Sequence, residues 1–393
     1  MRINQLKEFG TVCLVALMLP LTGCNESTGI SDEPYFSLPN RSGEVVSSEE
    51  LDFYVQTVVE GLEFPWGMAF LPDGSILITE REGDLRLVRD GELVGDPVGG
   101  TPEVFEVWQG GLMDIELHPA FEENGWLYIS YSKIGEGGTQ TALMRAKFDA
   151  ELHALTDQED LYVGTPFSDS QFHFGSRIAF DHDGYLFLTI GDRGDMGSAQ
   201  DLNSSNGSLI RLYDDGSIPA DNPFVGSDGL DEIYAYGLRN IQGMDVHPET
   251  GLVWTNLHGP RGGDELNVHD IPGANYGWPV ISYGINYDGT ILTEETEREG
   301  MEQPVMHWTP SIAPSGLAIV NSDKYPAWNG DILNGALAFQ LISRIVVDGD
   351  QFIHEERILE GIGRIRDIRQ APDGYIYFSN ESDGTLNRIV PVD

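Results

Sequence analysis

One short pattern recurs six times along this chain: a turn containing glycine, followed by a strand of alternating β-branched and aromatic residues. It reads LPDGSILITER near residue 71, FEENGWLYISYS near 121 and DHDGYLFLTIGD near 181. It returns as PETGLVWTNLHG near 248, AWNGDILNGAL near 327 and APDGYIYFSNES near 371. Each glycine stands where a hairpin turn needs positive φ, and period-two alternation marks a strand with one face buried. Copies spaced roughly 45 to 80 residues apart favour units stacked in a ring over a single sandwich. The expectation is an all-β fold, a six-bladed β-propeller of four-stranded blades spanning residues 51–393. Scarce helical periodicity, with 47 Gly and 21 Pro, agrees with short strands and many turns. The early run FYVQTVV is expected to pair with GTLNRIV near the end and so close the ring, which removes exposed sheet edges.

Ahead of the repeats, MRINQLKEFGTVCLVALMLPLTGC has a cationic start, an apolar stretch of roughly a dozen residues and small residues before a cysteine, the layout of a secretory signal. That stretch is too brief to span about 30 Å of hydrocarbon. Leu21-Thr22-Gly23-Cys24 resembles a bacterial lipobox, so residues 1–23 are expected to leave and Cys24 to carry lipid. With Cys13 removed and Cys24 modified, the mature domain has no thiol chemistry and no disulfide. Residues 24–50, rich in Ser, Glu, Pro and Gly, read as a flexible tether. Asn25 is not the aspartate associated with inner-membrane retention, which favours the outer membrane facing the periplasm.

The chain carries 22 Lys+Arg against 64 Asp+Glu, a net charge of -42, and its only lysines are Lys7, Lys133, Lys147 and Lys324. Such a balance repels nucleic acid and anionic lipid, which leaves small molecules and proteins as partners and any membrane contact to the lipid on Cys24. Against this background GIGRIRDIRQ gathers Arg364, Arg366 and Arg369. On a strand Arg364 and Arg366 share a face, Ile365 and Asp367 the other, and two adjacent guanidiniums require an anion between them. That anion is either a neighbouring acid of the protein or a ligand with several carboxylates.

Other segments suit neither core nor plain turn. AYGLRNIQG sets Arg239 beside Asn240 between glycines, and QFHFGSR sets His173 between two phenylalanines, where burial would keep its imidazole neutral and basic. HGPRGGDELN offers carbonyls around Pro260 and the acids Asp264 and Glu265, hard oxygen donors that suit Ca²⁺; no Cys/His cluster suggests zinc. DHDG, Asp181 to Gly184, lacks the remaining acids of an EF-hand loop and reads as a turn. No nucleophile elbow, zinc helix, phosphate loop or dinucleotide fingerprint occurs.

From about Thr57 to Pro391 the chain resembles the soluble PQQ-dependent aldose sugar dehydrogenases, also called glucose/sorbosone dehydrogenases. The likeness lies in FPWGMAFLPDG, WQGGLMDIELHP, HFGSRIAFDHDG, AQDLN, GSIPADNPFVG, GLRNIQG, HGPRGGDELN, GANYGWPVISYGINYDG, WTPSIAPSG and RIRDIR, in family order. The resemblance implies a six-bladed propeller and pyrroloquinoline quinone, a planar tricarboxylate, as cofactor. It assigns Arg364, Arg366, Arg239, Asn240 and Gln109 to the cofactor and His173 to catalysis, with Arg239 also stabilising charge on the quinone oxygen. It gives the carbonyls of Gly259 and Pro260 to a Ca²⁺ that touches the cofactor, and Glu265 and Tyr276 to a second, structural Ca²⁺. The implied reaction oxidises an aldose at its anomeric carbon to a lactone, His173 taking the proton, and passes electrons to an external acceptor. Two family lysines are replaced, by Ala338 and Ser208. Two other readings stay open: a metal-dependent lactonase or related hydrolase using acids such as Asp264 and Glu265, and a binding propeller that has lost the cofactor.

Overall fold

The computed structural model describes residues 43–392. Their strands form six antiparallel sheets, five of four strands and one of five. Each sheet is a blade, and its first strand lies innermost: Pro65–Phe70, Leu112–Leu117, Ile178–Phe180, Ile241–Val246, Pro314–Ile319 and Ile365–Gln370. The inner strands pack side by side in sequence, and the last returns to the first, which completes a six-bladed propeller. Clusters of buried aliphatic and aromatic side chains fill the space between blades; one joins Leu77 and Leu87 to Leu112, Ile129 and Met144 of the following sheet.

The six repeats all fall at one structural position. Gly74, Gly125, Gly184, Gly251, Gly330 and Gly374 each sit in the turn from an inner strand to the second strand of the same blade, with φ between 72° and 88°. Asp181 Oδ1 accepts the N–H of Asp183 (3.0 Å) and of Tyr185 (2.8 Å), so DHDG is the turn expected of it. In the second copy the turn is enlarged to one helical turn, Phe121–Asn124, closed by Gly125 in the left-handed conformation. Because neighbouring strands are antiparallel, these turns share one end of the disc. The loops from second to third strand and the links between blades share the other.

Asp52–Glu60 pairs with Thr385–Pro391, from Phe53 opposite Pro391 to Glu60 opposite Thr385, as the sequence suggests. Of the expected tether, residues 24–50, the described part from 43 on is bound to the fold. Val46–Ser47 adds a fifth strand by pairing with Phe53 and Asp52, and the Glu49 N–H donates to Glu356 Oε1 at 2.6 Å. Val46 and Leu51 also pack on the core beneath, and this burial is what holds the segment down. The signal, the lipobox and Cys24 lie outside the described residues.

Ionic groups close the ring's axis. Arg177 Nη1 lies 3.2 Å from Asp114 Oδ1 and 2.7 Å from Asp367 Oδ1. Arg369 reaches Asp114, Glu116 and, at 3.0 Å, Asp367 Oδ2. Arg369 of GIGRIRDIRQ thus pairs with three of the protein's own acids. Beneath this plug, toward the repeat turns, lies a depression of about 470 Å³; above it lies a second cavity, described next.

Candidate active site

The cavity above the plug measures about 620 Å³ and opens on the end of the disc that carries the inter-blade links. Gln109, Phe174, His258, Ala338, Arg364 and Arg366 are among the residues in its wall. Links between blades deliver Gln109, His173, Arg239 and Arg364, and loops after second strands deliver Asp192, His258 and Glu381. These seven residues are far apart in sequence because four different blades contribute one or two each.

His173 is held on three sides. Its Nδ1 lies 2.6 Å from Asp192 Oδ1, and its backbone N–H donates to Gln109 Oε1 at 2.8 Å. Its φ of 55° is left-handed, a conformation that needs external support in a residue with a Cβ. Support comes from close contact with Gly191, where a Cβ would come within 2.2 Å of the His173 carbonyl oxygen. Burial lowers the imidazole pKa; the Asp192 hydrogen bond opposes this, the Arg239 charge adds to it, and the net shift is downward. For Asp192 burial acts upward, but its hydrogen bond with His173, the Arg239 charge and the Gly194 N–H act downward, and the net shift holds the carboxyl below its ordinary value. An ionised Asp192 only accepts, so the proton sits on Nδ1 and the lone pair on Nε2. The Trp278 indole N–H donates to Asp192 Oδ2 at 2.8 Å and fixes the carboxylate from behind.

Arg364 and Arg366 do face one another, and the anion between them is in part the protein's own. Glu381 accepts from Arg366 Nε and Nη2 at 3.1 and 3.0 Å and from Arg364 Nε at 3.4 Å. Arg366 Nη1 also donates to Gln242 Oε1 and Arg364 Nη1 to the Leu337 carbonyl, both at 3.1 Å. Burial pushes the Arg366 pKa down; the Glu381 charge and hydrogen bond oppose this, the charges of Arg364 and Arg177 add to it, and the net shift is downward. One carboxylate shared by two guanidiniums leaves one positive charge in excess. Across the site Arg239 Nη1 donates to the His258 and Gly259 carbonyls at 3.0 and 2.8 Å, while its buried Nε has no partner. Asn240 is turned inward, its Oδ1 accepting the Gly175 N–H at 3.2 Å, so it positions the link carrying His173.

The calcium expectations meet mixed surroundings. The Gly259 carbonyl accepts from Arg239 and keeps a second lone pair. Glu265, its pKa raised to about 7 by burial, accepts from Asn267 Nδ2 at 3.2 Å. Tyr276 donates its hydroxyl to the Val268 carbonyl at 2.7 Å. No group of three or more His, Cys, Asp or Glu suited to a metal occurs among the described residues, so a cation here depends on backbone oxygens. Asp264 is a structural staple: it accepts from the Gly259 N–H at 2.8 Å, the Ala313 N–H at 2.9 Å and the Ser311 hydroxyl. Asp192, Glu381, Gln242 and Trp278 are site residues the sequence did not single out. TIGDRGD, a glycine and acid after a buried strand, was the one available signal for Asp192.

Residues 62–388 match the family model described as "Glucose / Sorbosone dehydrogenase". The chain belongs to the glucose/sorbosone dehydrogenase family. It is accordingly an oxidoreductase. Over 344 residues it is 42% identical to the aldose sugar dehydrogenase YliI of Escherichia coli (strain K12), covering 86% of this chain and 92% of that one. The crystal structure of the soluble aldose sugar dehydrogenase from Escherichia coli in its apo-form superimposes with a TM-score of 0.83 at 40% identity, covering 86% of this chain and all of that one (100%). The PQQ-bound aldose sugar dehydrogenase of Streptomyces coelicolor gives a TM-score of 0.72 at 26% identity over 90% of this chain and 100% of its own. In this family member Ala338 presents a methyl to the cavity, and Ser208 is buried with its hydroxyl unpartnered.

Proposed function

We propose that this protein oxidises aldoses at the anomeric carbon to lactones, with PQQ as its cofactor and an external electron acceptor. The observation that carries the reading is a neutral, Asp192-oriented His173 whose neighbours Gln109, Phe174 and Gly175 wall a cavity with guanidiniums opposite. The cavity suits a flat polyanion: Arg364 and Arg366 line it and share the single carboxylate of Glu381, which leaves one positive charge over. When bound, PQQ supplies an electron-accepting quinone able to take a hydride from the sugar carbon.

Within that arrangement Nε2 of His173 takes the proton of the anomeric hydroxyl, and Asp192 stabilises the imidazolium that results. Arg239 would hold a bound cofactor and supply positive charge beside it. The carbonyls of Gly259 and Pro260 would hold a Ca²⁺ beside the cofactor, adding to that stabilisation. A second Ca²⁺ would draw on the Glu265 carboxylate and on Tyr276, whose hydroxyl oxygen keeps its lone pairs while donating to the Val268 carbonyl. The hydrolase reading loses support from Asp264, whose oxygens are taken up in holding the 259–313 loops together. We further propose export with removal of residues 1–23 and anchoring to the outer membrane through lipid on Cys24.

Cofactor-free protein reconstituted with PQQ and Ca²⁺ should reduce a redox dye when given aldoses. His173→Ala should bind PQQ as the wild type does and lose about two to four decades of turnover, the usual contribution of a general base. Full turnover in that variant would remove His173 from the mechanism.

A further inference from the structure

Trp108 occupies a position that its own stability does not explain. Its φ is 40°, in the left-handed region where a side chain brings strain, yet it leaves 68% of its surface exposed and gains little from burial. It forms part of the cavity wall and immediately precedes Gln109, whose side chain holds the His173 backbone. Its ring meets Phe172 edge-on, with centroids 6.2 Å apart and planes at 76°, and Phe172 is itself 44% exposed and adjoins His173.

The backbone beneath both rings is rigid. Buried Arg193 donates to the carbonyls of Phe172 and Ser170, the latter at 2.7 Å, and lies 3.5 Å from the centre of the Phe174 ring. Gly110, just beyond Gln109, packs so closely that a Cβ would stand 2.6 Å from the same Phe174 ring. A large aromatic face, that of Trp108, is thus held toward solvent in the cavity wall, and the exposed ring of Phe172 flanks it. Arg81 and Glu106, 3.9 Å apart, line the same cavity with groups able to bond hydroxyls.

We propose that Trp108 and Phe172 form an aromatic subsite for a second sugar unit, so that the preferred substrates are reducing disaccharides and longer oligosaccharides. The inference rests on the dehydrogenase reading: the unit being oxidised lies at His173, and the next unit leaves the cavity past these two rings. A pyranose carries an apolar face of C–H bonds ringed by hydroxyls. That face covers an aromatic ring while the rim bonds to polar neighbours, and a pre-ordered ring loses little entropy on contact.

The test compares cellobiose and maltose with glucose in holoenzyme kinetics, for wild type, Trp108→Ala, Trp108→Gly and Phe172→Ala. Wild type should have a lower KM for the disaccharides. Each substitution should raise the disaccharide KM about tenfold relative to the glucose KM, a change of about 1.4 kcal/mol. Trp108→Gly suits the positive φ, so its Tm should equal or exceed that of wild type, which separates lost binding from lost folding. Ligand-observed NMR on cofactor-free protein with methyl β-cellobioside, which has no free anomeric hydroxyl, should show saturation transfer that Trp108→Ala loses. Equal KM changes for both sugar classes, an effect confined to the KM of the electron acceptor, or no glycoside binding would overturn the subsite while glucose oxidation persists. If no sugar is oxidised the dehydrogenase reading fails, and the NMR comparison alone then upholds or overturns the subsite.

Discussion

His173 owes its proposed role to its neighbours. The sequence shows a histidine between aromatics, and its neutrality follows from that setting; the partner that orients it lies 19 residues away on another loop and carries no periodic mark. Asp192 raises the His173 pKa while burial and Arg239 lower it. Asp192→Asn should therefore slow turnover and also move the acid limb of kcat/KM to lower pH, because the imidazole loses the charge that favours its protonated form. A limb that stays in place, or moves up, would show that Asp192 does not act through this imidazole. Arg364 and Arg366 were legible as a pair because cations are rare here. Their sharing of Glu381 was not, since that acid is one of 64 Asp and Glu in the chain.

At the scale of strands and turns, the sequence discloses one end of the propeller and conceals the other. The inner-strand turns are short, need a residue at positive φ, and precede strands that must alternate, so six of them repeat visibly. The loops of the site obey no common rule, because each holds a different group at a different height. The closing strand was legible for the same reason as the turns, and it can be tested. Phe53 is fully buried on it and meets Trp328 edge-on at 5.7 Å. Phe53→Ala should cost about 3 to 5 kcal/mol of stability in urea denaturation, as large-to-small changes in a core do. A loss below about 1 kcal/mol would mean that this strand contributes little to closing the ring.

For the whole molecule, surface and axis have opposite electrostatic designs. The whole chain has a net charge of -42, while the axis concentrates arginines: Arg177 and Arg369 in the plug, Arg239, Arg364 and Arg366 above it. The plug separates the two cavities, so the upper one is entered from its own end. Arg177→Met should lower stability by about 3 to 5 kcal/mol, because Asp114 and Asp367 would stay buried with a single shared cation; a neutral result would show water reaching the axis. The central claim is that the upper guanidiniums are arranged for a planar tricarboxylate. Calorimetric titration of PQQ, with Ca²⁺ present, into cofactor-free protein tests it most directly. One equivalent should bind with micromolar or tighter Kd, and Arg366→Leu should weaken binding by about one to two decades, the equivalent of about 1.5 to 3 kcal/mol for a charged hydrogen-bonded contact. No heat of binding at micromolar cofactor, or equal affinity in the two proteins, would contradict the account.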